Sequence, residues 1–461
     1  MTEAKNQESK IEKIEGDFFD RQKLIEILSK YIDILKKDAV IAIDAPWGTG
    51  KSWFGSKWTD YLKKEGHKVI FIDAFKQDYV EDPFLLIAAE INILAKDSST
   101  SAELQKNAIS VLKNLVPFGT KILMKGIGIA SMGIVDIEKG YVDLVKKANE
   151  DIADNTSKWI TKEFEGFENA KASFDDYKKT LENFCDKQTK PVVIFIDELD
   201  RCRPSFAVQL LERIKHLFDV PNLIFVLLMN KNQLEKAIEG VYGSGTDAKG
   251  YLSKFINLFL HLPEINFTEY YREVNSSPAS KFIYSVLKNY KFDADSQINH
   301  HLFIHNLTVW TYIKKLSLRD IERACTIFAL SGAKGNAGLL TYLIVLKLKH
   351  SDLFLELLQG KIKESSQKAI AILKEEEERF KDINIKEEHV MTTRKEAKIY
   401  LRAFQELHQL QTNKKLTLLI LGNYGRLIFN RSFTGNYDGV EKFFTDNLNL
   451  IDLPIIFDPK E

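Results

Sequence analysis

The sequence predicts an α/β fold: a parallel sheet covered by helices, with a helical insertion between the second and third strands and a mainly helical C-terminal region. Three observations lead there. Short apolar runs rich in Val, Ile and Phe recur at helix-length intervals, the pattern of strands buried on both faces. A glycine-rich stretch, "AIDAPWGTGKSWF" at residues 42–54, overlaps the end of the first run. A pair of acids, Asp197 and Glu198, closes the third.

Residues 17–37 come first as a helix, with Leu24, Ile25, Ile27, Leu28, Ile32 and Leu35 at helical spacing and Asp17 or Asp20 placed to cap it. "AVIAID", residues 39–44, is too short for a helix with a core face and runs into glycines, so it reads as a buried strand. A loop and a helix over about 51–64 follow it. Further strands are expected at "KVIFIDA" (68–74), "PVVIFIDE" (191–198), "NLIFVLLMN" (222–230) and "FINLFLHLP" (255–263).

Between the second and third strands the chain is mainly helical in pattern, broken at "DSSTSAE" and "GIGIASMG". Beyond Glu264 no sheet is sustained; residues 339–359 and 394–410 read as helices and 371–389 as a charged exposed helix or linker. The organisation expected is a polar tail (1–16), a core from 17–86 and 188–265, an inserted helical subdomain (87–187), a helical lid (266–335) and a helical partner-binding region (336–461).

Bulk properties narrow the function. In the 461-residue chain, 65 basic residues balance 65 acidic ones, so overall charge argues for neither a nucleic-acid nor a membrane partner. Cys185, Cys202 and Cys325 are too few and too widely spaced for a disulfide framework or a zinc knuckle, which points to a reducing cytoplasm. Residues 117–140 are the one stretch to test for a membrane span, but Lys121, Lys125 and Asp136 leave ten uncharged residues from Gly126 to Val135. A spanning helix needs roughly 20, so the stretch reads as a buried or interfacial helical segment.

The glycine-rich stretch has the form of a phosphate-binding loop: Ala45, Pro46, Trp47, Gly48, Thr49, Gly50, Lys51 and Ser52, followed by Trp53. Gly50, Lys51 and Ser52 match the motif, and Ala45 replaces its first glycine. A loop between strand and helix aims successive N–H groups at a phosphate chain, and the helix adds its positive end. Lys51 would reach the β- and γ-phosphates of ATP, and the Ser52 hydroxyl would coordinate Mg²⁺. Ala45 should be tolerated if its φ is negative, because the first glycine serves the turn while the later residues contact phosphate.

"VVIFIDELDR", residues 192–201, supplies the second half of a site. Its strand would lie buried beside the loop strand, with its acids at the carboxyl edge where open α/β sheets bind ligands. Asp197 would hold Mg²⁺ through its water shell, and Glu198 would polarise the attacking water. Asn230 falls where a strand between the two motif strands would end, suited to orienting that water or, more plainly, to capping a helix. Arg201, Arg203, Arg213, Lys254 and Arg319 are candidates to neutralise phosphate charge.

Residues 196–263, with "IDELDRCRP", "LLERIKHLFDVPN" and "VYGSGTDAKGYLSKFI", resemble the KAP family of P-loop NTPases. The resemblance extends from about Asp17 to Cys325 and includes "LSLRDIER" at 316–323. It implies an ASCE-type ATPase with Lys51, Ser52, Asp197 and Glu198 in the roles above, and Arg319 as a phosphate-sensing arginine in a helical lid. Lys254 stands where members commonly carry Arg, and a lysine offers a point charge in place of a planar fork. The resemblance further implies an oligomer or hetero-complex with partner proteins encoded nearby, in a prokaryotic defence system against phage or plasmids.

Two other readings compete with an ATPase that switches assembly: a nucleotide-binding scaffold with little turnover, and a nucleic-acid translocase. His300, His301 and His305 could ligate a metal from one helix face, but they have no partner motif and read as surface or partly buried histidines. Cys202 reads as a small packed residue, for want of a nearby His base.

Overall fold

Five parallel strands form one sheet in the order β2-β3-β4-β1-β5. They are β1 (Ala39–Asp44), β2 (Val69–Asp73), β3 (Val192–Asp197), β4 (Leu223–Met229) and β5 (Leu258–His261), each within its expected run. The computed structural model describes residues 13–115, 161–263, 277–292, 297–381, 393–412 and 437–451, except 36, 81, 216 and 218. Residues 117–140 lie outside these. No helix among the described residues is long and apolar enough to cross a membrane.

One expectation about the sheet is corrected. The strand carrying Asp197 does not lie beside the loop strand, because β4 pairs with both β1 and β3 and separates them. This is the intervening strand that the position of Asn230 calls for. It is apolar at every position and buried throughout, as a strand needs to be to sit at the centre of a sheet covered on both faces.

Alternate side chains of each strand serve two different cores. Val40 and Ala42 of β1, Ile194 and Ile196 of β3, and Phe225 and Leu227 of β4 face one. Ile41 and Ile43, Val193 and Phe195, and Ile224 and Val226 face the other. Against the second face lie α1 (Arg21–Ile34) and α2 (Lys51–Lys64), through Ile25, Leu28, Phe54 and Trp58. Trp58 packs edge-on to Phe195 and donates from Nε1 to Ser29 Oγ at 3.0 Å, so its one polar atom is satisfied in the core.

The first face is covered by α3 (Pro83–Leu94), α4 (Ser101–Leu115), α5 (Thr161–Asp186) and α6 (Pro204–Lys215). Two further helices, α7 (Lys231–Tyr242) and α8 (Ala248–Ser253), lead to β5. Gly55 lets α2 approach the sheet, since a Cβ there would overlap Leu228 Cδ1.

The chain divides into two units, Met1–Leu262 and Pro263–Glu461. The second is helical among its described residues and is built on α12 (Ala337–Lys349), which is buried from Ala337 to Leu346. The single helix expected over 339–359 is two: α12 ends at His350, which leaves helical geometry (φ −140°, ψ 60°), and α13 (Ser351–Leu358) begins with an acid in its first turn. The polar triplet His350-Ser351-Asp352 provides a stop and a start between two apolar faces. The remaining helices of this unit are α9 (Pro278–Leu287), α10 (Gln297–Lys314), α11 (Leu318–Leu330), α14 (Ile362–Glu378), α15 (Thr393–Thr412) and α16 (Tyr437–Asn449).

Candidate nucleotide site

The loop from Ala45 to Gly50 joins β1 to α2 at the carboxyl edge of the sheet. Gly48 (φ 80°) and Gly50 (φ 86°) take left-handed conformations that residues with a Cβ rarely adopt, and Gly50 sits at the N-cap of α2. Ala45 does not take a positive φ, so its methyl meets the condition set for it. That methyl is buried in the core beneath the loop, and Ala45 N donates to the Met229 carbonyl at 3.1 Å.

Lys51 is buried, and its Nζ donates to the carbonyls of Ala45 at 2.6 Å and Pro46 at 3.3 Å. Burial lowers its pKa, while Asp200, Asp197 and Glu198 pull it back up. The ammonium rests on the loop's own oxygens, close to acids at the end of β3.

Ser52 Oγ donates to Glu198 Oε1 at 3.3 Å, which joins the phosphate loop to the third strand. Burial pushes the Asp197 carboxyl up to about 6, and a hydrogen bond from Ser52 opposes the rise. Glu198 adopts a left-handed backbone (φ 61°), a strained conformation of the kind that collects at functional sites. It forms an ion pair with Arg201, three residues on. Trp47, 43% exposed at the tip of the loop, donates from its indole to Asp200.

Asn230 follows β4, between the ends of β1 and β3. It stands at the N-cap of α7, yet its side chain does not cap the helix. The structure thus gathers Lys51, Ser52, Asp197, Glu198 and Asn230 at one sheet edge. Arg319 is exposed in the first turn of α11, which belongs to the second unit.

The other cations divide. Arg203 and Arg213 are engaged by Asp78 and Asp82, in the segment after β2, with Arg213 gripping its carboxylate through two nitrogens at 3.2 and 3.0 Å. Lys254 lines a cavity of ≈390 Å³ with Asp38, Lys215 and Asn257. Asp38 and Asn257 precede β1 and β5, so this cavity opens at the amino ends of those strands, away from the phosphate loop.

Sequence reasoning missed Arg21. This buried residue in the first turn of α1 donates to the carbonyls of Thr49 at 2.6 Å and Gly50 at 3.1 Å. One signal existed: a cation in a helix's first turn opposes the macrodipole and calls for a reason. Asp17, rather than Asp20, closes that helix end, accepting from the backbone of Arg21 at 3.0 Å and Gln22 at 2.8 Å.

Cys202 packs as expected, 7% exposed, with burial raising its thiol to about 12. Among the described residues no group of three or more His, Cys, Asp or Glu side chains could hold a metal, and His305 faces Glu396 at 3.7 Å.

A family model described as the KAP family P-loop domain matches residues 21–408. No curated protein matches the chain significantly. Among solved structures, a DNA replication initiation factor is similar at 11% identity and a TM-score of 0.31, over 93% of each chain. The ORC2 protein of Aeropyrum pernix, in ADPNP–ADP complexes, is similar at 13% identity and a TM-score of 0.30, over 93% of this chain and 94% of that one. Likeness at this level carries no weight beside the sheet order itself.

Proposed function

Because the chain belongs to the KAP family of P-loop NTPases, we propose that it is a Mg²⁺-dependent ATPase coupling ATP binding and hydrolysis to conformational change or assembly with partner proteins. The observation that carries the reading is the meeting of Ser52 with the acids of β3 beside a buried lysine, at a helix start whose loop holds two left-handed glycines.

The donor set fits a nucleotide-bound magnesium ion. One hydroxyl and one carboxylate are hard oxygen ligands, and Mg²⁺ held with substrate phosphates needs only one or two from the protein. Ser52 and Asp197 would hold it, and the ion would neutralise charge growing on the phosphate oxygens. Lys51 would exchange the carbonyls of Ala45 and Pro46 for the phosphates of ATP, keeping its charge partnered throughout. Glu198 would turn from Arg201 to a water molecule and accept its proton as the water attacks the γ-phosphorus. Asn230, with its side chain not spent on capping, would hold that water in line.

The engagement of Glu198 by Arg201 and Ser52 favours a second reading, a nucleotide-binding scaffold that turns over slowly until a partner frees the glutamate. The wider setting we infer from the family is prokaryotic defence against phage or plasmids, alongside proteins encoded nearby. Steady-state phosphate release from the wild type and from Glu198→Gln, alone and with candidate partners, tests the assignment. Release that Glu198→Gln abolishes supports the ATPase, whereas none from the wild type under any condition removes it.

A further inference from the structure

Arg21 is separated from the phosphate loop by 28 and 29 residues in sequence, yet it spends two of its donors on that loop's backbone. Burying a guanidinium is costly unless it is paired, and here burial lowers its pKa to about 10. The charge that opposes this lowering is that of Asp17, which is occupied with the backbone of α1. What Arg21 gains in return is a hold on two consecutive peptide groups, that of Thr49 and that of Gly50, whose carbonyl it shares with Phe54 N at 3.0 Å, the first bond of α2.

The peptide plane turns that hold into an effect on ligand. In a trans peptide the C=O of one residue and the N–H of the next point in opposite directions. Fixing the carbonyls of Thr49 and Gly50 toward Arg21 therefore aims the N–H groups of Gly50 and Lys51 away from it. Neither N–H has an acceptor among the described residues, and they belong to the N-cap and the first residue of α2. A left-handed Gly50 allows both planes to take this orientation together.

We propose that Arg21 is a positioning residue for phosphate binding, holding the Thr49 and Gly50 peptide planes so that two backbone donors face the phosphate chain before nucleotide arrives. The inference rests on the nucleotide-site reading above. It adds that the loop is preorganised from outside by a side chain that never touches the ligand, so the ligand has less backbone to order on binding.

Titration of the full chain with MgATP, and separately with magnesium tripolyphosphate, tests this in the wild type, Arg21→Met and Arg21→Lys, with thermal unfolding of each protein free of ligand. Methionine keeps the apolar stem but no donor, and lysine keeps the charge but not the fork that reaches two carbonyls. Arg21→Met is expected to bind both ligands about tenfold or more weakly, by the same factor for each, and Arg21→Lys to recover part of the loss. A merely structural anchor would lower the melting temperature without this shared loss and partial rescue. Affinity in Arg21→Met within twofold of the wild type overturns the proposal. If Arg21→Met does not fold, Arg21→Lys decides it, and wild-type affinity there overturns it. A wild type that binds neither ligand removes the nucleotide-site reading itself, a different result from either.

Discussion

Ser52 and Glu198, 146 residues apart in the chain, meet at 3.3 Å where the start of α2 faces the end of β3. The hydroxyl and the carboxylate to which the proposed mechanism assigns the magnesium ion and the attacking water are thus joined directly. Glu198→Gln keeps the shape and the acceptor toward Ser52 but cannot take a proton. Phosphate release should fall about 10²–10⁴-fold while MgATP binding persists, measured as turnover and titration on the same preparation.

Trp47 reports on the loop. Its indole donates to Asp200 from a half-exposed position, so nucleotide entering the loop should change its surroundings. MgATP should alter the tryptophan emission of the wild type, and Trp47→Phe should lose most of that change. An undiminished response in Trp47→Phe would assign it to another tryptophan.

Ala45→Gly should bind MgATP no more tightly than the wild type, because Ala45 already lacks the positive φ that would favour glycine. It should lower stability by about 1 kcal/mol, since glycine frees the unfolded chain and removes a buried methyl. Denaturant unfolding and a MgATP titration check the two halves separately.

Gly55→Ala sets two effects against each other. Alanine favours a helix interior by about 1 kcal/mol, but its Cβ would overlap Leu228 and press on Phe71 at 3.2 Å. Overpacking of this kind costs about 1–3 kcal/mol, so net destabilisation is expected in an unfolding curve. A stabilised variant would mean that α2 can lift from the sheet freely.

Glu90 introduces a pH dependence remote from the site. Burial in α3 raises its carboxyl to about 7, and Oε1 has no hydrogen-bond partner. A folded pKa above the unfolded value of 4.5 means that the folded state binds more protons between 4.5 and 7. This contribution to stability is full below 4.5 and is lost as pH rises through about 7. Glu90→Gln should remove the slope and gain on the order of 1–3 kcal/mol over the wild type at pH 8, read from unfolding curves at several pH values.

The strands were legible because burial on both faces demands unbroken apolar runs, and such runs stand out between polar helices. Lys51, Ser52, Asp197 and Glu198 were legible because a strand end is a fixed place in an α/β sheet. Strand order was less so: the position of Asn230 argued for a strand between the motifs while the acids argued for adjacency, and pairing leaves no mark on composition. Arg21 was hidden because its partners are carbonyl groups, which every residue carries. The break at His350 was hidden because apolar periodicity runs through it on both sides.

The sheet order also has a temporal meaning. The strand that bears the phosphate loop pairs only with β4 and β5, the last two strands of its unit to leave the ribosome. Until then β1 has both edges open, and Ala45 lacks the Met229 carbonyl that anchors the loop's first residue. A growing chain therefore carries the loop's sequence long before it can hold the loop's shape.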